Sequence, residues 1–222
     1  MGFYWEGLPP YVLEWARDFL PEGTVAVETG TFRGDTSELL ANYFGTCVTI
    51  ERSADFVNKA RARFAGDPRV TVIQGSSRDK LVEAMPTGQT PCFLWLDAHG
   101  IYNFEDSEAE ENPILEELAV VTAARGQAPT VIAIDDARGL GTQPGWPTLG
   151  EVCAVLHQAG YATVVVDDCV IAVPNDLQPD FWTLYQKSRT VEVSALFHVW
   201  RSVKRSVRIR ALLDVGFSKI KR

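Results

Sequence analysis

Several things are missing from this 222-residue chain, and each absence narrows the reading. No uninterrupted run of about 18 apolar residues occurs, which argues against a helix that spans a bilayer. The opening stretch, MGFYWEGLPP, has neither the basic nor the apolar region of a secretory leader, so a cytoplasmic location is the expectation. Cysteine is scarce. Cys47, Cys92, Cys153 and Cys169 sit mostly inside apolar runs and form no C-x-x-C pair. They are expected as reduced core residues rather than metal or redox ligands. The chain has no G-x-G-x-x-G and no G-x-x-x-x-G-K-[ST], so neither the dinucleotide fingerprint nor the P-loop is present.

What is present is a soluble composition, 46% hydrophobic and 23% charged, at a length that suits one domain with additions. The formal net charge of −8 hides an asymmetry. Residues 1–186 carry 11 basic and 27 acidic groups, a net of −16, whereas 187–222 carry 10 basic and 2 acidic, a net of +8. An acidic run from Glu105 to Glu117 adds to the first part. This balance makes nucleic acid an unlikely partner for the main body.

The chain is organised around Val25 to Glu51, VAVETGTFRGDTSELLANYFGTCVTIE. A short apolar run, a glycine-bearing turn, an apolar helical spacing and a second apolar run ending in Glu51 read as strand, turn, helix and strand. An acid closing the second strand of such a unit can hold the two hydroxyls of a ribose. The acid ahead of the glycines, Glu28, is a poor neighbour for a pyrophosphate, because like charges repel. It would instead attract an ammonium or another cation. The alternatives are a turn that needs glycine for geometry alone, or another nucleotide.

Further along, a helix is expected from about Pro10, and Ser53 is a plausible cap for a helix over 54–64. Val70 to Ile73 reads as a strand followed by Gln74, Gly75, Ser76 and Ser77, with a helix over 78–85. CFLWL (92–96) and TVIAI (130–134) are continuous apolar runs, as expected of central parallel strands covered on both faces. They end in Asp97-Ala98-His99 and Asp135-Asp136-Ala137-Arg138. A helix follows Asn112 or Pro113, and Thr148 caps another that ends before Gly160. Two apolar runs, 162–166 and 169–173, flank Asp167-Asp168 as an antiparallel hairpin with both acids as turn residues.

Glu28, Gly30 and Gly34 match the E/D-x-G-x-x-x-G first motif of the class I S-adenosylmethionine (SAM)-dependent methyltransferases, which the sequence resembles over about residues 24–173. The resemblance implies an α/β, doubly wound, Rossmann-like sheet of seven strands in the order 3-2-1-4-5-7-6. With the leading helix and the basic tail read from the residues themselves, the expected organisation is a SAM domain over 1–180 and a basic amphipathic helical extension over 181–222. The resemblance places the cofactor against Glu28, Gly30, Thr31, Phe32, Gly34, Glu51, Arg52, Gly75, Ser76, Ser77 and Asp97. Three strand-end carboxylates, Asp97, Asp135 and Asp136, would repel one another unless a cation compensates, and oxygen ligands suit Mg²⁺. Their places are similar to those in metal-dependent O-methyltransferases of the catechol and the macrocin or novobiocin types. The sugar-modifying group has D-x-D where this chain has Asp97-Ala98-His99. His99 could therefore serve as base or ligand, since imidazole titrates near neutrality. The catalytic set is thus His99, Asp97 and Arg138, the last neutralising an acid or binding an acidic group of the substrate. The loop carrying Trp146 would either wall a substrate or cap the sheet.

The expected reaction is O-methylation of a small hydroxylated acceptor, such as a sugar or another natural-product intermediate. The alternatives are a metal-independent O- or N-methyltransferase and a non-catalytic SAM-fold protein. In the extension, Val193 to Val215 has a helical pattern with a basic side. Packing within the chain or in a homo-oligomer such as a dimer is favoured, with a peripheral membrane contact through 193–222 next.

Overall fold

The computed structural model describes residues 7–98 and 112–189. Its elements alternate: α1 (Pro10–Phe19), β1 (Val25–Thr29), α2 (Asp35–Phe44), β2 (Cys47–Glu51), α3 (Ala54–Arg63), β3 (Val70–Gln74), α4 (Ser77–Ala84) and β4 (Cys92–Leu96). Then come α5 (Ile114–Arg125), β5 (Thr130–Ile134), α6 (Leu149–Gln158), β6 (Tyr161–Val166) and β7 (Cys169–Pro174). The strands form one sheet in the order β3-β2-β1-β4-β5-β7-β6. The first five run parallel, and β7 is antiparallel to both β5 and β6. The expected order and hairpin are both present.

Burial explains why these runs became these strands. Every residue of β4, β5 and β7 is buried, and the runs that supply them carry no charge. The edge strand β3 has the mixed pattern of a strand with one partner and is exposed at Thr71 and Gln74. Alternate side chains pack into two cores. Ala26, Cys47, Phe93, Trp95, Val131 and Ala133 face α1 and α2. Val27, Ile50, Leu94, Leu96, Ile132 and Ile134 face α4, α5 and α6. Thr148 caps α6 in a reciprocal box, its hydroxyl accepting from Glu151 N–H while Glu151 accepts from Thr148 N–H. Ser53 occupies the cap position of α3 but makes no side-chain cap bond; its N–H donates to Glu51 instead, at 2.8 Å.

Three of the four free cysteines are core residues as expected, and Cys153 is half-buried. Cys47, Cys92 and Cys169 are buried, and burial raises the pKa of each thiol. The first nine residues of the expected extension, 181–189, are helical. They pack on α1 through Phe181 against Trp15, buried Leu184 and a Lys187–Asp18 pair at 3.1 Å. The amphipathic stretch expected over 193–222 lies outside the described residues. Among the described residues no helix is long and apolar enough to cross a membrane.

Candidate functional site

The parallel strands bring their carboxyl ends to one edge, where Asp97 and Asp135 stand side by side. Thr29 pairs with Leu96, and Leu96 with Ile134. The next residues, Gly30, Asp97 and Asp135, therefore form one rung across β1, β4 and β5. Backbone bonds continue the ladder into it: Asp97 N–H donates to Thr29 O at 3.2 Å, and Asp135 N–H to Leu96 O at 3.1 Å. Gly30 is required here. Its φ is +85°, and a Cβ at this position would lie 2.3 Å from the Asp97 carbonyl oxygen. Backbone approach this close lets the first turn rest directly on the end of β4.

Glu28 lies one pleat deeper, 1% exposed, on the face towards α2. One carboxyl oxygen accepts from the hydroxyls of Ser37 and of Thr49, the latter at 2.6 Å; the other is buried with no hydrogen-bond partner. Burial outweighs the two hydroxyls and, with some repulsion from Glu51, pushes its pKa up to about 7. At the end of β2, Glu51 accepts from Phe32 N–H and from Ser53 N–H, each at 2.8 Å. Phe32 is held at φ +46°, a sparsely populated conformation for a bulky residue, with its ring 53% exposed and tilted on Phe56. Thr31 is buried and shares a 2.6 Å hydrogen bond with Thr49. Gly34 begins α2 at φ +82°, where a Cβ would meet the Phe64 ring at 2.8 Å.

On the neighbouring turn, Gly75 N–H donates to Glu51 O at 2.9 Å, Ser76 precedes α4 and Ser77 opens it. Arg52, just past β2, is exposed. The structure thus gathers Glu28, Gly30, Thr31, Phe32, Gly34, Glu51 and the 75–77 turn along the ends of β1, β2 and β3. Asp97 and Asp135 stand beside them. Burial, together with Asp135, Glu28 and Asp136, raises the Asp97 pKa well above the carboxylate range. Asp135 is pushed up to about 7, again chiefly by burial. Asp136 adopts φ +53°, which turns the chain away from the sheet.

Not every expectation is met here. Among the described residues no group of three or more His, Cys, Asp and Glu is arranged to hold a metal ion. Asp97, Asp135 and Asp136 lie near enough to repel one another. The other expected ligand or base, His99, lies outside the described residues. Arg138 takes the first of its two expected roles. Its guanidinium donates to Asp168 Oδ2 at 2.7 Å and its N–H to Asp168 Oδ1 at 2.9 Å. Asp168, expected as a plain turn residue, is 2% exposed, and its carbonyl also accepts from Ala137 N–H at 2.8 Å. Trp146 packs over Gly139, where an added Cβ would come within 2.4 Å of its ring, and so caps the post-β5 loop. His157 bonds Thr163 on the hairpin at 2.8 Å, a structural use.

Two residues at this edge had no part in the sequence-based site. Asp168 was hidden because its partner is 30 positions away. Glu117 of α5 is fully buried, and neither of its carboxyl oxygens has a well-formed hydrogen bond. One signal was available: it falls on the stripe of Ile114, Leu118 and Val121, where a charge is out of place.

No family model matches the sequence, and no curated protein matches it. Solved structures do match its fold. An O-methyltransferase from Bacillus cereus, solved with SAH, aligns over 75% of this chain and 82% of its own, at TM-score 0.52 and 16% identity. A Staphylococcus aureus protein named as a caffeoyl-CoA O-methyltransferase covers 75% and 84%, at TM-score 0.51 and 16% identity. A Clostridium thermocellum protein named as an rRNA methylase covers 78% and 99%, at TM-score 0.55 and 12% identity. At such identities the likeness is one of fold, and the fold is the Rossmann-like one of SAM-dependent methyltransferases.

Proposed function

We propose that this chain is a SAM-dependent methyltransferase that acts on a hydroxyl of a small molecule. One observation carries the reading: at the strand-end edge the buried carboxyl of Glu28 keeps one oxygen without a hydrogen bond from the described residues. Asp97 and Asp135 stand in the same rung as the glycine turn. Buried carboxylates of this kind favour a cationic ligand. SAM carries an ammonium and a sulfonium, and this reading assigns its ribose to Glu51, whose two oxygens also accept from Phe32 N–H and Ser53 N–H. Nucleotides with pyrophosphate would meet repulsion at Glu28.

In this reading SAM supplies an activated methyl group, and the protein's own work is alignment and proton removal. Glu28 holds the ammonium end. The glycine turn lets the backbone approach the ligand. Asp135, with its pKa near neutrality, takes the proton from the acceptor hydroxyl as the carbon–oxygen bond forms. A sugar or other natural-product intermediate fits the small hydroxylated acceptor.

Calorimetry with SAM and SAH tests this. Binding is expected for both, with Glu28→Gln and Glu51→Gln each weakening SAM by about tenfold or more, the range for a lost charge-assisted bond. Failure of the folded wild-type chain to bind either ligand would overturn the assignment. Once an acceptor is found, EDTA followed by Mg²⁺ decides the metal question: activity lost and then restored would put a cation into the reaction.

A further inference from the structure

Glu117 is the buried ionisable group at this edge for which the reaction above has no use. It is fully buried on α5, on the sheet face opposite Glu28, and neither of its oxygens has a well-formed hydrogen bond, although the Thr29 and Ser77 hydroxyls lie close enough to act on it. The polar groups beside it are the hydroxyls of Thr29 and Ser77, and the charged ones are Arg78 and Glu116. Arg78 pairs with Glu116 at 3.6 Å, on the exposed side of the two helices.

The two hydroxyls belong to different turns. Thr29 ends β1, immediately before Gly30. Its Oγ1 accepts from Asp97 N–H at 3.1 Å, which leaves its own hydrogen to donate elsewhere. Ser77 opens α4 directly after Gly75 and Ser76, and it is buried. Glu117 therefore lies beneath the point where the β1–α2 and β3–α4 turns come together. The fold itself gains nothing from a charge here: Leu118, Ile114 and Val121 around it are core residues, and an apolar side chain would suit the same stripe.

We propose that Glu117 is a positioning residue of the SAM cleft. Its ionised carboxylate draws the hydroxyl hydrogens of Thr29 and Ser77 together and so locks the two turns that flank the nucleoside end of the ligand. The proposal rests on the SAM reading above. It assigns a cost in stability to a gain in binding, a trade that functional residues often show. Because Thr29 also receives the Asp97 N–H, the same link fixes the start of the post-β4 segment. The carboxyl is pushed up to about 7 by burial, which the two hydroxyls only partly offset. The lock therefore opens as the pH falls and the group takes up a proton.

The test uses the full chain and the variants Glu117→Gln and Glu117→Leu, with SAM affinity and thermal midpoint read on each. Both variants are expected to bind SAM about tenfold more weakly at about pH 8, in line with the loss of hydrogen bonds to a charged group, while melting at the same or a higher temperature. At about pH 5.5, where wild-type Glu117 is protonated, the affinity ratio between wild type and Glu117→Gln should approach one. Unchanged affinity at high pH in either folded variant would overturn the proposal. So would a ratio that stays constant with pH, or a loss of affinity accompanied by a lower midpoint in both variants, since a packing role would produce these. If wild type itself binds no SAM, the functional reading fails first, and that outcome is seen before any variant is compared.

Discussion

Glu28 and Glu117 are mirror cases on opposite faces of one sheet. Both are buried, both stand at the carboxyl ends of the strands, and both have pKa values pushed up to about 7 by burial. They differ in what surrounds them. Glu28 is gripped by Ser37 and Thr49 at one oxygen, so its position is fixed before any ligand arrives. Glu117 has the hydroxyls of Thr29 and Ser77 close enough to lower its pKa, but neither makes a well-formed hydrogen bond to it. The difference teaches that a raised carboxyl pKa does not by itself define a role. Partners that exist without ligand mark a preset binding group, while a group lacking them marks a link still to be closed.

The most damaging way to break this comparison is to strike the turn between the two acids. Gly30→Val forces a side chain into the Asp97 carbonyl, at a φ that L residues avoid. A cost of about 3–5 kcal/mol is expected from strain and overpacking together. Denaturant melts should show it, with SAM binding abolished. A folded Gly30→Val chain that binds like wild type would mean the cleft does not lie over this turn.

Neutralising each acid separately sharpens the comparison. A group whose folded pKa lies above its unfolded value of 4.5 binds its proton more tightly when folded. For an acid, the stability it contributes is therefore present below about pH 4.5, declines as pH rises, and is gone above about pH 7. A shift of this size corresponds to about 3 kcal/mol for each group, as an upper bound. Glu28→Gln and Glu117→Gln should each therefore raise stability at about pH 8 relative to wild type, with the advantage vanishing near pH 4.5. The gain should be smaller for Glu28→Gln, which also disturbs the bonds from Ser37 and Thr49. Since the two acids occupy different cores, the double variant should show nearly additive changes. A lower stability in Glu117→Gln at high pH would show that its carboxylate is already satisfied.

The same contrast explains what the sequence made legible. Glu28 stands between an apolar run and a glycine turn, and Asp97 and Asp135 each follow an uninterrupted apolar strand. Their chemistry is local, so their places could be read from a dozen neighbours. The hairpin was legible in the two apolar runs around Asp167-Asp168, the strand order was expected from the resemblance to a fold, and both are present. Glu117 was absorbed into the acidic run that begins at Glu105, because nothing nearby in sequence announces Thr29 or Ser77. Its exceptional feature, a charge on a buried helical stripe, needs the helix phase to be known. Asp135 and Asp136 are adjacent in sequence, whereas the left-handed backbone at Asp136 becomes visible only in the structure.

Asp168 offers the gentlest perturbation and a third way to hold an acid. Here the carboxylate is buried, but its partner is a cation: Arg138 donates from both backbone and side chain, and Asp168 O receives Ala137 N–H as well. Together these bonds clamp the loop after β5, two residues beyond Asp136, to the β6–β7 turn. The Arg138 side chain is 54% exposed, so water screens the pair and its loss is milder than that of a fully buried one. Asp168→Asn retains the shape and the backbone carbonyl but removes the charge. A loss of about 1–2 kcal/mol is expected in denaturant melts, since one charge-assisted bond weakens while the others persist. SAM affinity should change less than twofold, because the nucleoside end is held by β1, β2 and β3, whereas turnover with an acceptor should fall as the post-β5 loop loosens around Asp135. An Asp168→Asn variant that loses SAM affinity as strongly as Glu117→Gln would erase the division between a cofactor end fixed by the first three strands and an acceptor end fixed by the hairpin.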